Sequence, residues 1–149
     1  MAEHLRILSG FYGLLRPFDG VAPYRLEMQA KLAVDGARNL YEFWGSRIAD
    51  ALFAETDAVL DLASREYSRC VTRYRPAGAR VITCRFVEDV GGKLAEKGTY
   101  CKMARGEMVR FLAETGAETP EAARGFDRLG YRFLPEASTD DCYTFLRSP

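Results

Sequence analysis

Apolar residues recur at helical spacing in two stretches of the chain. Leu40, Phe43, Trp44, Ile48, Ala51 and Leu52 form one stripe and predict a helix over 40–54. Asn39 suits its N-cap, and Glu42, three residues on, completes a capping-box pattern. Met103, Met108, Phe111 and Leu112 mark a second helix over 100–114. The run 58–62 (Ala-Val-Leu-Asp-Leu) has the length and apolar character of a buried strand, and 80–87 alternates with β-branched residues as a strand does. Gly91-Gly92 signals a turn, with a weaker strand pattern over 93–99. Ser64 is placed to cap a short helix with Tyr67 and Val71 on one face. Pro120 suits the first turn of another short helix ending near Gly125, and short strands over 131–134 and 142–146 close the chain. At the other end, 2–8 reads as the last turns of a helix stopped by Ser9-Gly10. Residues 9–24 are punctuated by Gly10, Gly13, Pro17, Gly20 and Pro23. This order of elements predicts an α+β fold with a mixed β-sheet flanked by helices, and a length of 149 residues predicts a single domain over 1–149.

Composition narrows the function. Hydrophobic residues make up 48% and charged residues 28%, as in an ordinary globular chain. The formal net charge is zero, which excludes a globally basic nucleic-acid binder but leaves room for a local basic patch. No apolar run is long enough to span a bilayer, so no membrane partner is expected. Cys70, Cys84, Cys101 and Cys142 have no CxxC spacing, and 1–8 carries charge without an apolar run; the thiols read as reduced and the protein as cytosolic. His4 is the single histidine. A zinc site or a Ser-His-Asp triad is therefore weakly supported, no metal ligand set or cofactor is expected, and proton transfer would fall to Glu, Asp, Tyr, Lys or Cys.

The charged residues supply the candidate chemistry. Arg65, Arg69, Arg73, Arg75 and Arg80 face only Glu66 in sequence, the one clearly basic stretch. Guanidinium forks suit phosphate and carboxylate, so this stretch is either a solvated face or a patch for nucleic-acid backbone, without base specificity. Lys102 and Arg105, three apart near a predicted helix start, are disfavoured by the helix dipole unless they face an anion such as a phosphate, Glu27 or Glu66. Gly106 inside that helix implies close backbone approach by a neighbour or a ligand. Glu27 and Glu66 are the candidate acids or bases, and an extended backbone would put Arg25 and Glu27 on one side. Arg16, Asp19, Arg25 and Glu27 lie in an otherwise apolar, turn-rich segment, where charges are ion-paired or held for a ligand.

Several segments, in order, resemble the YaaA family of bacterial peroxide-stress proteins. They are Leu8-Ser9-Gly10-Phe11-Tyr12-Gly13-Leu14-Leu15-Arg16-Pro17-Phe18-Asp19, Pro23-Tyr24-Arg25-Leu26-Glu27-Met28 and Leu40-Tyr41-Glu42-Phe43-Trp44-Gly45. Leu62-Ala63-Ser64-Arg65-Glu66-Tyr67, Lys102-Met103-Ala104-Arg105-Gly106 and Gly130-Tyr131-Arg132-Phe133 follow. The resemblance implies a cytosolic α+β protein that protects against hydrogen peroxide, limits free intracellular iron and binds DNA through a helix-hairpin-helix-like element in a basic cleft. It directs interest to Arg16, Tyr24, Arg25, Glu27, Glu66, Lys102 and Arg105. Two positions depart from the family pattern: Asp61 stands where Asn is common, and Met103 where a second Lys is common. The family's long N-terminal portion, with its Ser-Pro-Ala-Lys motif, has no counterpart here, so the chain resembles the C-terminal part of such a protein and is expected to fold incompletely, with an exposed apolar face.

Three functions compete. The first is a DNA-binding stress protein that contacts duplex backbone through Arg65, Arg69, Arg73 and Arg75. The second is an enzyme on a small anionic or nucleotide-like substrate, with Arg25, Lys102 and Arg105 holding the anion and Glu27, Glu66 or Lys102 as catalytic candidates. Arg16 and Tyr24 complete the anion-binding candidates. The third is a truncated fragment without function.

Overall fold

A computed structural model describes residues 2–148. They group into two compact units, and the chain passes between them more than once. The first unit holds the described residues up to Asp57 together with Ala63–Ala79; the second holds Ala58–Leu62 and the chain from Arg80 onward. Helices and a mixed sheet together make an α+β fold.

The first unit begins with a hairpin of β1 (Ile7–Ser9) and β2 (Gly13–Leu15), paired antiparallel with Ser9 opposite Gly13. The helix expected over 2–8 is therefore absent. Ser9 settles the matter locally: its Oγ accepts hydrogen bonds from the backbone N–H of Phe11 (3.2 Å) and Tyr12 (2.9 Å), which closes a three-residue loop. Gly13 completes the turn at φ +78°, a conformation costly to any residue with a Cβ. An irregular segment, 16–39, leads to α1 (Leu40–Trp44) and α2 (Arg47–Phe53).

The single helix expected over 40–54 is thus two. Gly45 breaks it at φ 51° and ψ −131°, while its N–H closes α1 on the Tyr41 carbonyl at 2.9 Å. Asn39 caps α1 as expected, accepting from the Glu42 N–H at 3.0 Å. Glu42 returns its carboxylate to the N–H of Arg38 rather than to the cap itself. Past the strand that belongs to the second unit, α3 (Arg65–Thr72) packs on α2. Met28, Leu40, Ile48, Ala49, Leu52, Cys70 and Val71 are the buried apolar residues of this unit.

The second unit is built on β3 (Ala58–Asp61), β4 (Arg80–Val90), β5 (Lys93–Ala95), β6 (Tyr131–Phe133) and β7 (Cys142–Arg147). The order is β3-β4-β7-β6, with β3 and β7 parallel to β4, β6 antiparallel to β7, and β5 folded back antiparallel on β4. Gly91 and Gly92, both at positive φ, make that hairpin turn. Ile82, Cys84 and Phe86 of β4 share a core with Tyr143 and Phe145 of β7 and Tyr131 of β6. The helix α4 (Gly98–Glu114) covers this core with Cys101, Ala104, Met108 and Leu112, spaced three or four apart on one face. Burial of each large side chain contributes about 1.5–3 kcal/mol, and the Phe86 ring stacks on Phe145 at 5.2 Å. Met103, expected on the apolar stripe, is 49% exposed, because at 100° per residue it falls off the face that Cys101, Ala104, Met108 and Leu112 share. The short helix over Pro120–Gly125 is a 3-10 helix.

Candidate functional site

In the first unit, α3 separates two faces. Cys70 and Val71 are buried, while Arg65, Arg69 and Arg73 are exposed at four-residue steps, about 40° apart around the axis, and so share one side. Arg75 lies two residues beyond Arg73 and is exposed too. None of these four guanidiniums forms an ion pair among the described residues. Aromatic rings steady two of them: Arg69 lies over Tyr41 at 4.9 Å and Arg73 over Tyr74 at 5.7 Å. Glu42 is committed elsewhere, since Arg38 grips both of its carboxylate oxygens and holds its carboxyl below the usual range. Arg80, counted with this stretch in sequence, belongs to the second unit and pairs with Glu121 at 2.8 Å.

The first turn of α3 meets the chain at Met28 and Gln29, which follows the hairpin. Buried Ser9 also shares a short hydrogen bond with the Tyr24 hydroxyl, and the rings of Phe11, Tyr12 and Tyr24 cluster with centroids 4.9–5.5 Å apart. Glu66 accepts from the Gln29 N–H at 3.2 Å, and its backbone carbonyl accepts from the Tyr41 hydroxyl at 3.0 Å. Burial, then the charge of Glu66, raises the Tyr67 pKa; Tyr24 and Glu27 act on the same hydroxyl. The backbone of Met28 hydrogen-bonds to Tyr67, and the charges of Tyr24 and Glu27 bear on it more weakly than that of Glu66. Burial also raises the Cys70 thiol to about 11, against the lowering effect of Arg69. Arg25 is exposed and makes no ion pair among the described residues. Arg16 is engaged: it pairs with Glu55 at 2.9 Å, a carboxylate it shares with Arg6, and its N–H donates to Asp19 at 2.7 Å.

Lys102 and Arg105 lie in the second unit. They are not in a first turn, because α4 starts at Gly98, so the dipole penalty expected for them does not arise. Lys102 is exposed, whereas the Arg105 side chain is only 17% exposed. Its nearest carboxylate is Glu96 at 3.7 Å, neither Glu27 nor Glu66. Gly106 faces open space, and a Cβ there would meet nothing within 4 Å, contrary to the close approach expected. Sequence reading missed a charged cluster on β4 and β7 of the same unit. Glu88 binds Lys97 at 3.0 Å and Arg147 at 3.3 Å, and these hold its carboxyl below the usual range. The Arg147 guanidinium stacks on Tyr100 at 3.6 Å.

The family described as "Peroxide stress protein YaaA" matches residues 1–137. The chain belongs to this family. It is 52% identical over 97% of its length to a UPF0246 protein of Agathobacter rectalis, covering 58% of that protein. A UPF0246 protein of Lachnoclostridium phytofermentans is likewise 52% identical over 97% of the chain, with 57% of the relative covered. A third, from Desulfitobacterium hafniense, is 50% identical over 98% of the chain and is covered over 58% of its length. The chain thus spans somewhat under three-fifths of the length of these relatives. The family match takes in the hairpin, α3 and α4, and with them every candidate residue read from the sequence, while Arg147 lies beyond it.

Proposed function

We propose that this chain serves in the peroxide-stress response by binding duplex DNA through the backbone, with Arg65, Arg69, Arg73 and Arg75 as the contact surface. The observation that carries the proposal is the placement of three arginines on one exposed face of α3, none of them in an ion pair among the described residues. Family membership supports the stress context. Limitation of free intracellular iron, which the resemblance implies, belongs to the proposal as its cellular consequence. A guanidinium row at helical spacing matches repeating phosphates by charge and by fork geometry, and it reads no bases. Binding is therefore independent of sequence. The test is fluorescence anisotropy with two unrelated duplexes at low salt: equal affinities, both lost on charge reversal by Arg69→Glu, support the proposal, whereas strong preference for one duplex or indifference to Arg69→Glu contradicts it.

A second reading, acid–base work on a small anionic substrate, has one observation in its favour: the Tyr67 hydroxyl, hydrogen-bonded to the backbone of Met28, is held protonated by burial and by the charge of Glu66. Glu66→Gln separates the two readings, since removal of a negative charge beside Arg69 leaves DNA affinity equal or higher and would abolish turnover.

A further inference from the structure

The loop segment after β1 in the first unit is held rigidly and yet leaves large apolar side chains in solvent. The rings of Phe11, Tyr12 and Tyr24 touch one another, with centroids 4.9 Å, 5.4 Å and 5.5 Å apart. Both phenol oxygens are spent on the protein: Tyr24 bonds the Oγ of buried Ser9, and Tyr12 accepts from the Ala22 N–H at 2.9 Å. The second bond also brings Val21, the neighbour of Ala22, beside the cluster. The backbone beneath is fixed as well, since the Trp44 indole donates to the Gly10 carbonyl at 3.0 Å. Nevertheless Phe11 is 57% exposed, Val21 and Tyr24 are exposed too, and Phe18, on the loop that leads to Val21, is 89% exposed. Folding gains nothing from ordering such a patch and leaving it wet. A contiguous, preformed apolar face marks a surface that another polypeptide covers, and tyrosine and phenylalanine are the residues such surfaces favour.

Length indicates the occupant. The three relatives compared above match 97–98% of this chain, and so include this loop, but the match takes in only 57–58% of each relative. About two-fifths of each relative lies outside it. For the Agathobacter rectalis protein, whose 145 matched residues are 58% of its length, the remainder is a stretch of domain size. A stretch of that size is enough to cover this face. The mixture of aliphatic and aromatic side chains also suits a protein better than nucleic acid, because Val21 offers no ring on which a base could stack.

We propose that Phe11, Val21 and Tyr24, with Phe18 at the margin, form the docking surface for the segment that the relatives carry outside the match. The occupant is an apolar polypeptide surface. The docking is independent of the α3 arginines and stands if DNA binding fails.

The test produces the unmatched segment of the Agathobacter rectalis relative in the same cells as the full chain, which carries an affinity tag, with nuclease present during purification. A one-to-one complex by light scattering is expected. Hydroxyl-radical oxidation of Phe11 and Phe18 should be about tenfold slower in the complex than in the chain alone, as burial at an interface requires. Phe18→Asp and Val21→Asp alter exposed positions, so the chain alone should keep its melting curve, while recovery of the segment falls about tenfold or more with each. Failure to recover the segment, recovery that both variants leave unchanged, or equal oxidation of Phe11 and Phe18 with and without the segment would each overturn the proposal. A chain that is a dimer by itself and a monomer as Phe18→Asp would assign the face to a second copy instead. Protection of Phe11 by a single-stranded oligonucleotide alone would assign it to nucleic acid, and either result would overturn the proposal too.

Discussion

Gly13 shows how one residue holds the N-terminal hairpin in place. It sits at φ +78°, and a Cβ there would lie 2.8 Å from the indole of Trp44. That indole donates to the Gly10 carbonyl at 3.0 Å, and Gly10 itself has no room for a Cβ beside the Leu26 carbonyl. Gly13→Ala combines left-handed strain with overpacking and should cost about 2–4 kcal/mol, read as a shift of the urea midpoint. A loss below 1 kcal/mol, on the order of an ordinary surface change, would contradict this interlock. The cysteines are equally specific. Cys70, Cys84 and Cys101 are buried, and burial raises all three thiols, so they stay protonated and shielded at neutral pH. In the folded protein only half-buried Cys142 should react promptly with a thiol reagent, while urea should release all four. Rapid reaction of two or more thiols without denaturant would reverse that assignment.

Most helices and strands were legible from spacing, and the exceptions have local causes. The pattern 80–87 became β4 because Val81, Ile82, Cys84, Phe86 and Val87 are buried, and α4 formed where its stripe predicted. The N-terminal strand was misread as helix because 2–8 is too short for periodicity to separate the two; the Ser9 side chain, bonded to two N–H groups ahead of it, decided the outcome. The break at Gly45 could not be found by counting apolar residues, since the stripe continues through it. At the site, charged types were visible in sequence but their partners were not: Arg16 is engaged by Glu55, and the Glu88 pairs join residues far apart in the chain. The joint between β4, α4 and β7 depends on that carboxylate. Because Lys97 and then Arg147 hold the folded-state pKa of Glu88 below its unfolded value, the stabilisation is fully present above the usual carboxylate range and is lost as pH falls through the depressed value. Glu88→Gln should therefore remove part of the acid-side loss of thermal stability, while the curve above pH ~6 keeps its shape. An acid limb identical to the parent's would show that this pair contributes nothing.

The whole chain carries no net charge, yet it places on one helix face an arginine row that forms no ion pair among the described residues. Charge that is spread by composition averages to zero, whereas charge arranged by helical spacing does not, and backbone recognition depends on the second. Three other cations of the first unit illustrate the contrast, with Arg6 and Arg16 on Glu55 and Arg38 on Glu42. The proposed binding at this row would release counterions from the duplex, so affinity should fall linearly with salt on logarithmic axes, by about 0.9 per phosphate contacted. The decisive measurement compares that slope for the parent chain and for Arg65→Ala/Arg69→Ala/Arg73→Ala by fluorescence anisotropy on one duplex. The account predicts that the triple variant still folds, binds more weakly, and shows a slope flatter by about 2–3, one phosphate for each guanidinium removed. An unchanged slope, or a parent chain that does not bind duplex DNA at low salt, would contradict it.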